Sequence, residues 1–129
     1  MTAHPNVARH RAGHDAFRRG DVQFLSDLFS DDTVWHWPGR GPMSGDFRGK
    51  DNVLELLGRF AESCDSLDFV DEDFLASDSR TASLSRMKLV RGEKALEFEL
   101  CEVVRWSQGQ VVEEWLLVDD VYAYDEFWS

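Results

Sequence analysis

The chain has 129 residues, the length of one domain, and carries a formal net charge of −11. Because binding to phosphate groups depends on Lys and Arg, this charge argues against nucleic acids and anionic membrane surfaces as partners. Hydrophobic residues make up 43% of the chain, but the longest apolar run is only 115–118, too short to span a bilayer. No signal-peptide pattern opens the chain, so we expect a cytoplasmic protein with no membrane segment.

Two helices are predicted first. Residues 6–19 have helical spacing, with Val7, His14 and Phe17 on one side, and Gly20 is a typical C-terminal stop. Asp21 can cap a second, shorter helix.

The next segment places a titratable side chain in a predicted strand that ends abruptly. Residues 33–37 are rich in Val and Trp, which favour strands, and Pro38-Gly39 ends the strand. His36 therefore lies near a strand end, and its ordinary pKa of about 6.5 suits proton transfer near neutral pH.

A third helix and a series of strands complete the chain. The third helix is predicted over 51–63, and the period then changes to two over 67–76, 81–90, 95–106 and 111–122. The order α-α-β-α-β-β-β-β predicts an α+β fold, with three helices packed on an antiparallel sheet in one domain, 1–129.

Several motifs in this order resemble the SnoaL-like and ketosteroid isomerase-like proteins of the nuclear transport factor 2-like superfamily. They are Gly20-Asp21, the loop Pro38-Gly39 to Ser44-Gly45, Phe47-Arg48-Gly49, and 109–113 leading to Trp115. The resemblance implies a strongly bent, cone-shaped sheet, a cystatin-like α+β barrel with an apolar cavity. It implies no single activity, because one fold supports many functions.

The resemblance also implies two catalytic positions. The isomerase pattern Thr-Val-Glu-Asp-Pro, laid over Thr33 to Trp37, places the general base on His36. The acidic residue before Val-x-Arg-aromatic falls on Glu102. Glu102 is either a neutral hydrogen-bond donor held by apolar neighbours, or the ion-pair partner of His36.

Strand alternation predicts the rest of the cavity wall. The expected ligand-binding residues are Val34, His14, Leu57, Met87, Leu89, Leu100, Val104, Glu114 and Val118. The same alternation turns Trp35, Trp37, Val103, Trp115 and Leu117 to the outer face of the sheet, which predicts a homodimer.

Departures from the family pattern limit the choice of activity. The oxyanion Tyr of the isomerases falls on Gly13, and the acid that follows the strand Trp in SnoaL-type cyclases falls on Leu116. His10 and His14 are spaced i, i+4 without a surrounding metalloprotease motif, so we expect no metal, and no nucleotide-binding motif indicates a cofactor.

The leading interpretation is a cofactor-independent acid/base protein for a small, neutral, hydrophobic molecule, of isomerase, cyclase, dehydratase or hydrolase type. The alternatives are a non-catalytic binding protein for a hydrophobic metabolite and a structural dimerisation module.

Overall fold

The computed structural model describes residues 4–129, which form four helices and one six-stranded sheet. The elements are α1 (Pro5–Arg19), α2 (Val22–Leu28), β1 (Phe29–Trp37), β2 (Gly45–Arg48), α3 (Lys50–Glu62), β3 (Ser66–Ala76), β4 (Arg80–Arg91), β5 (Lys94–Ser107), β6 (Gln110–Val118) and α4 (Val121–Trp128).

The sheet has the strand order β2-β1-β6-β5-β4-β3. Strands β3 to β6 form an antiparallel meander, and β1 pairs in parallel with β6 and antiparallel with β2. The helices pack against the same sheet, so the predicted α+β fold is confirmed.

Helix α1 carries two buried histidines and has typical capping residues at both ends. Pro5 stands at its first turn, the ring of His4 accepts a hydrogen bond from the Asn6 amide, and Gly20 ends the helix with a φ of 70°. The helix is polar overall, yet His10 and His14 lie on its buried face, one turn apart.

Two elements differ from the sequence prediction. The short edge strand β2 was not expected, and the last strand ends at Val118 rather than at residue 122. The Asp120 side chain accepts a hydrogen bond from the Ala123 amide and so caps a fourth helix, α4. The alternating aromatics of this segment resembled a strand, but Tyr124, Phe127 and Trp128 instead form the buried face of α4.

The loop after β1 is fastened to α4. Asp125 accepts a hydrogen bond from the Arg40 amide at 2.9 Å, directly beside Gly39, whose φ is 87°. A Cβ at Gly39 would overlap the Asp125 carboxylate, so glycine is needed for both the turn and the close approach. Among residues 4–129, no helix has the length and apolar composition needed to cross a membrane.

Candidate functional site

A cavity that is partly open to solvent lies between the sheet and the helices. Its wall is mainly aromatic and aliphatic. The predicted ligand-binding or catalytic residues on this wall are His14, Leu57, Met87, Leu100, Glu102, Val104, Glu114 and Val118. Leu89 is fully buried but is not part of the wall.

Four titratable side chains interrupt this apolar wall: His10 and His14 from α1, Glu102 from β5 and Glu114 from β6. All four are largely buried. Because ionisable groups are costly to bury without partners, their mutual contacts decide what the cavity can do.

His14 lies between two carboxylates. Its Nδ1 is 2.7 Å from Asp71 Oδ1, and its Nε2 is 3.1 Å from Glu102 Oε2. Only an imidazolium donates at both nitrogens. Burial lowers the pKa of His14, but the Glu102 and Asp71 carboxylates outweigh this effect and raise it to about 9. His14 is therefore positively charged at neutral pH.

His10 lies one turn earlier and differs in charge. Its Nδ1 is 2.8 Å from Thr81 Oγ1, which also accepts a hydrogen bond from the Trp106 indole. Its buried Nε2 faces Glu102 Oε2 at 3.7 Å and makes no hydrogen bond within the described chain. Burial lowers the pKa of His10 more than Glu102 raises it, so this imidazole is neutral.

The two buried glutamates also differ in protonation. Burial raises the pKa of Glu102, but contact with His14 and His10 more than compensates and lowers it below its ordinary value. Burial and the neighbouring Glu102 charge raise the pKa of Glu114 well above its ordinary value. Glu102 is therefore the ionised member of the pair, and Glu114 is a neutral acid.

Asp71 lies on the inward face of β3, because the regular pairing with β4 sets it beside the buried Ser85. The pairing shifts only after it, between Asp71 and Asp73, which leaves Glu72 as the extra residue of a β-bulge. Arg18 and the Ser85 hydroxyl hold the Asp71 carboxylate at 3.1 and 3.2 Å. Burial raises the pKa of Asp71, but the His14 and Arg18 charges lower it to about 2.

The same atoms also approach the geometry of a metal site. His10, His14 and Glu102 each offer one ligand atom, and these atoms lie within 4.8 Å of one another. We interpret the group as holding protons, because both nitrogens of His14 meet carboxylate oxygens. The expectation of no metal stays a prediction.

His36 lies outside the cavity, so the predicted orientation of β1 is wrong. Its ring bridges Asp46 and Glu113 at 2.7 Å each and stacks on Trp115, on the outer face of the sheet. Burial lowers the pKa of His36, but these two carboxylates outweigh it and raise the pKa. Val34 shares this outer face, whereas Trp35 and Trp37 are buried and line the cavity.

A shift of one residue explains the reversed orientation. The gapless match set the proline of the isomerase pattern on Trp37, whereas the chain has its proline at position 38. Because side chains alternate along a strand, a shift of one residue exchanges the two faces. Pairing with β6 sets the actual register, with Trp35 beside Glu114 and His36 beside Trp115.

From the sequence, no catalytic role was predicted for His10 or Asp71. The i, i+4 spacing of His10 and His14 on a buried helix face was the available signal for His10. Alternation with Leu67 and Phe69 was the available signal for Asp71, since all three share one face of β3. Neither interpretation of Glu102, as a neutral donor or as the ion-pair partner of His36, is correct, because its histidine partners are His14 and His10, which keep it ionised.

Residues 10–114 match the SnoaL-like domain family. An uncharacterized protein of Mycobacterium tuberculosis is 31% identical over 116 residues, which cover 88% of each chain. Among solved structures, Bal32a, from a soil-derived mobile gene cassette, is 32% identical with a TM-score of 0.93 over 97% of each chain. An NTF2-like protein of unknown function from Burkholderia pseudomallei, at 17% identity, shares the fold with a TM-score of 0.88 over 98% of this chain and 99% of its own. The fold is thus NTF2-like, and the chain belongs to the SnoaL-like domain family.

Proposed function

We propose that the protein is a cofactor-independent acid/base enzyme that acts on a small, neutral, hydrophobic organic molecule bound in the cavity. The observation that carries this proposal is the pair His10 and His14, whose pKa values are shifted in opposite directions within one apolar wall. Titratable neighbours with separated pKa values are a typical acid/base arrangement.

Each residue of the pair takes a distinct role in this proposal. The His14 imidazolium is the proton donor, and neutral His10 is the proton acceptor at Nε2, in the tautomer whose Nδ1–H donates to Thr81 Oγ1. Glu102 lies between them and holds the positive charge of His14, while Asp71 fixes the orientation of the His14 ring. Proton transfer from an activated carbon to His10, with His14 supplying a proton to a substrate oxygen, is the step that this arrangement supports.

The wall indicates the polarity of the substrate. Trp35, Trp37, Phe98 and Leu100 supply apolar surface around the polar cluster. A charged substrate would lose its hydration there and would meet only one full negative charge, that of Glu102, which His14 already balances. A neutral ring system is therefore the substrate class that the cavity favours.

Membership of the family does not determine whether the reaction is of isomerase, cyclase, dehydratase or hydrolase type. The isomerase tyrosine and the cyclase acid are replaced by Gly13 and Leu116, as the sequence indicated. The proposal therefore rests on proton transfer at His10 and His14 and does not extend to one named reaction.

A second candidate is a binding protein without catalysis. Both nitrogens of His14 already meet carboxylates, and such a closed network also serves to stabilise a polar patch in an apolar cavity. A structural dimerisation module, the third interpretation, gives no role to an apolar cavity with buried titratable groups on its wall.

A turnover screen separates these candidates. Neutral enones, lactones and epoxides are incubated with wild-type protein and with His14→Gln and His10→Gln. The matched control is His36→Asn, which removes a histidine on the outer face of the sheet. We expect turnover that falls by a factor of about 100 or more in the two cavity variants and is unchanged in the control.

Other outcomes decide between the candidates. Saturable binding without turnover, unchanged by His14→Gln, would favour the binding protein. Turnover that survives both cavity substitutions but is lost in His36→Asn would contradict the proposed roles.

We also propose that the protein is a homodimer that packs through the outer face of its sheet. Strand pairing places Leu84, Cys101 and Leu117 side by side on this face, and Val103 lies beside Trp115. Leu117 is 54% exposed, which is unfavourable for an apolar side chain in a continuous patch. A second copy of the chain would cover this surface.

A further inference from the structure

We propose that Glu114 is a hydroxyl-recognition site, at which its free carboxyl oxygen accepts a hydrogen bond from an alcohol or phenol group of the ligand. This inference rests on the part of the proposed function that places a small neutral molecule in the cavity. It adds a substrate class, neutral ring compounds that carry a hydroxyl group.

The position of Glu114 makes it a buried polar group within an apolar surface. It lies in the middle of β6, between Trp35 of β1 and Val104 of β5, and all three side chains are on the cavity wall. Glu114 is only 3% exposed. An ionised carboxylate between these neighbours would be costly, so the surroundings favour the neutral acid.

The position of Glu114 beside Glu102 determines which of the two carboxyl groups donates the hydrogen bond between them. Glu102 and Glu114 are diagonal neighbours on the cavity face of β5 and β6, because Glu114 pairs with Val104. If these neighbouring carboxyl groups are joined by a hydrogen bond, one of them carries the proton, since two carboxylates can only accept. Glu102 is held as the anion by His14 and faces His10, so the proton belongs to Glu114 and is donated to Glu102.

One oxygen of Glu114 is then left without a partner. Oε2 is buried, lies on a residue of the cavity wall, and makes no hydrogen bond within residues 4–129. Whichever oxygen of Glu114 carries the acid proton to Glu102, the other is of carbonyl type and can only accept. A buried acceptor without a donor costs free energy, which a ligand recovers if it brings a donor to that point.

The chemistry of the donor follows from the surroundings. Glu102 and His14 balance each other, so a charged ammonium donor would enter an apolar cavity without a free counter-ion. A neutral hydroxyl group donates one hydrogen bond at small desolvation cost, and its ring can pack on the aromatic wall formed by Trp35 and Trp37.

The test compares two ligands that differ only in their ability to donate. Equilibrium dialysis measures the binding of 2-naphthol and of 2-methoxynaphthalene to the wild-type protein. We expect 2-naphthol to bind about fivefold more tightly, as one net hydrogen bond predicts.

Two substitutions assign the preference to Glu114. Glu114→Gln keeps an acceptor oxygen and can donate its amide to Glu102, so the preference for 2-naphthol should persist. Glu114→Met is similar in length but has no carboxyl oxygen, so the two ligands should bind equally. Thermal unfolding of each variant checks that the fold is retained, and if Glu114→Met does not fold, the comparison of wild type with Glu114→Gln still tests the proposal.

Three results would overturn the inference: equal binding of the two ligands to wild type, no saturable 2-naphthol binding, or a preference that persists in Glu114→Met. Because this test measures binding, its result is separate from the turnover screen. A hydroxyl preference without turnover would support Glu114 and count against the acid/base proposal, whereas turnover without the preference would do the reverse.

Discussion

His10, His14 and His36 have the same side chain, but their surroundings give them different protonation behaviour. Burial keeps His10 neutral, two carboxylates keep His14 charged, and His36 lies half-exposed between Asp46 and Glu113. Only the first two line the cavity. The residue type alone therefore does not identify the reactive histidine, whereas the distribution of carboxylates around each ring does.

The charge of His14 makes the stability of the fold depend on pH. The pKa of His14 is about 9 in the folded chain, against 6.5 for the free side chain. Its contribution is fully present below pH 6.5 and is lost as the pH rises through 9. Since one pKa unit corresponds to about 1.4 kcal/mol, the free energy of unfolding should fall by about 3 kcal/mol over this range.

Urea unfolding at pH 6.5 and 9.5 measures this difference. The decrease should be strongly reduced in His14→Gln and largely preserved in His36→Asn, whose histidine is on the outer face. Equal decreases in wild type and His14→Gln would show that His14 does not carry the proton.

At the scale of elements, α1 and β3 together build the charged part of the site. Helix α1 supplies both histidines from one face, and the inward face of β3 presents Asp71 to His14. Helix α4 contacts the loop after β1, where Asp125 accepts a hydrogen bond from the Arg40 amide.

Glycine substitutions test the contact between this loop and α4. Gly39→Ala places a side chain at a positive φ and against Asp125, so it should destabilise the fold by about 1 kcal/mol or more. Gly58→Ala in α3 meets nothing within 4 Å and should stabilise it by about 0.5–1 kcal/mol. Thermal unfolding checks both, and a Gly39→Ala variant as stable as wild type would contradict the close contact.

The elements also show what the sequence could and could not predict. Helical spacing found α1 to α3, and alternation found the four long strands with the correct inward face for Glu102 and Glu114. Alternation in β1 favours the face of Trp35 and Trp37 as the inward one, because His36 lies on the opposite face, but the gapless match to the isomerase pattern placed His36 inside. The parallel pairing with β6, a contact distant in sequence, decides that Trp35 faces the cavity.

At the scale of the whole molecule, the sheet has two apolar faces with different roles. The concave side and the helices enclose the cavity, whereas the outer side presents Trp115 and Leu117 without a covering element in the described chain. A cavity on one side and a subunit contact on the other would use both faces of one sheet.

Light scattering at micromolar concentration tests the proposed dimer. We expect the mass of a dimer for wild type and of a monomer for Leu117→Arg, which places a charge in the apolar patch. The matched control is Tyr122→Ser, because Tyr122 is 86% exposed on α4 and lies outside this patch. A monomeric wild-type protein would rule out this assembly.

NMR of the imidazole nitrogens as a function of pH tests directly whether a charged His14 and a neutral His10 lie together in the cavity. Signals are assigned with His10→Gln and His14→Gln. We expect His14 to remain an imidazolium at pH 7.5 and to titrate near 9, while His10 titrates below its ordinary pKa of 6.5. If both rings titrate together near pH 6.5, the acid/base pair does not exist.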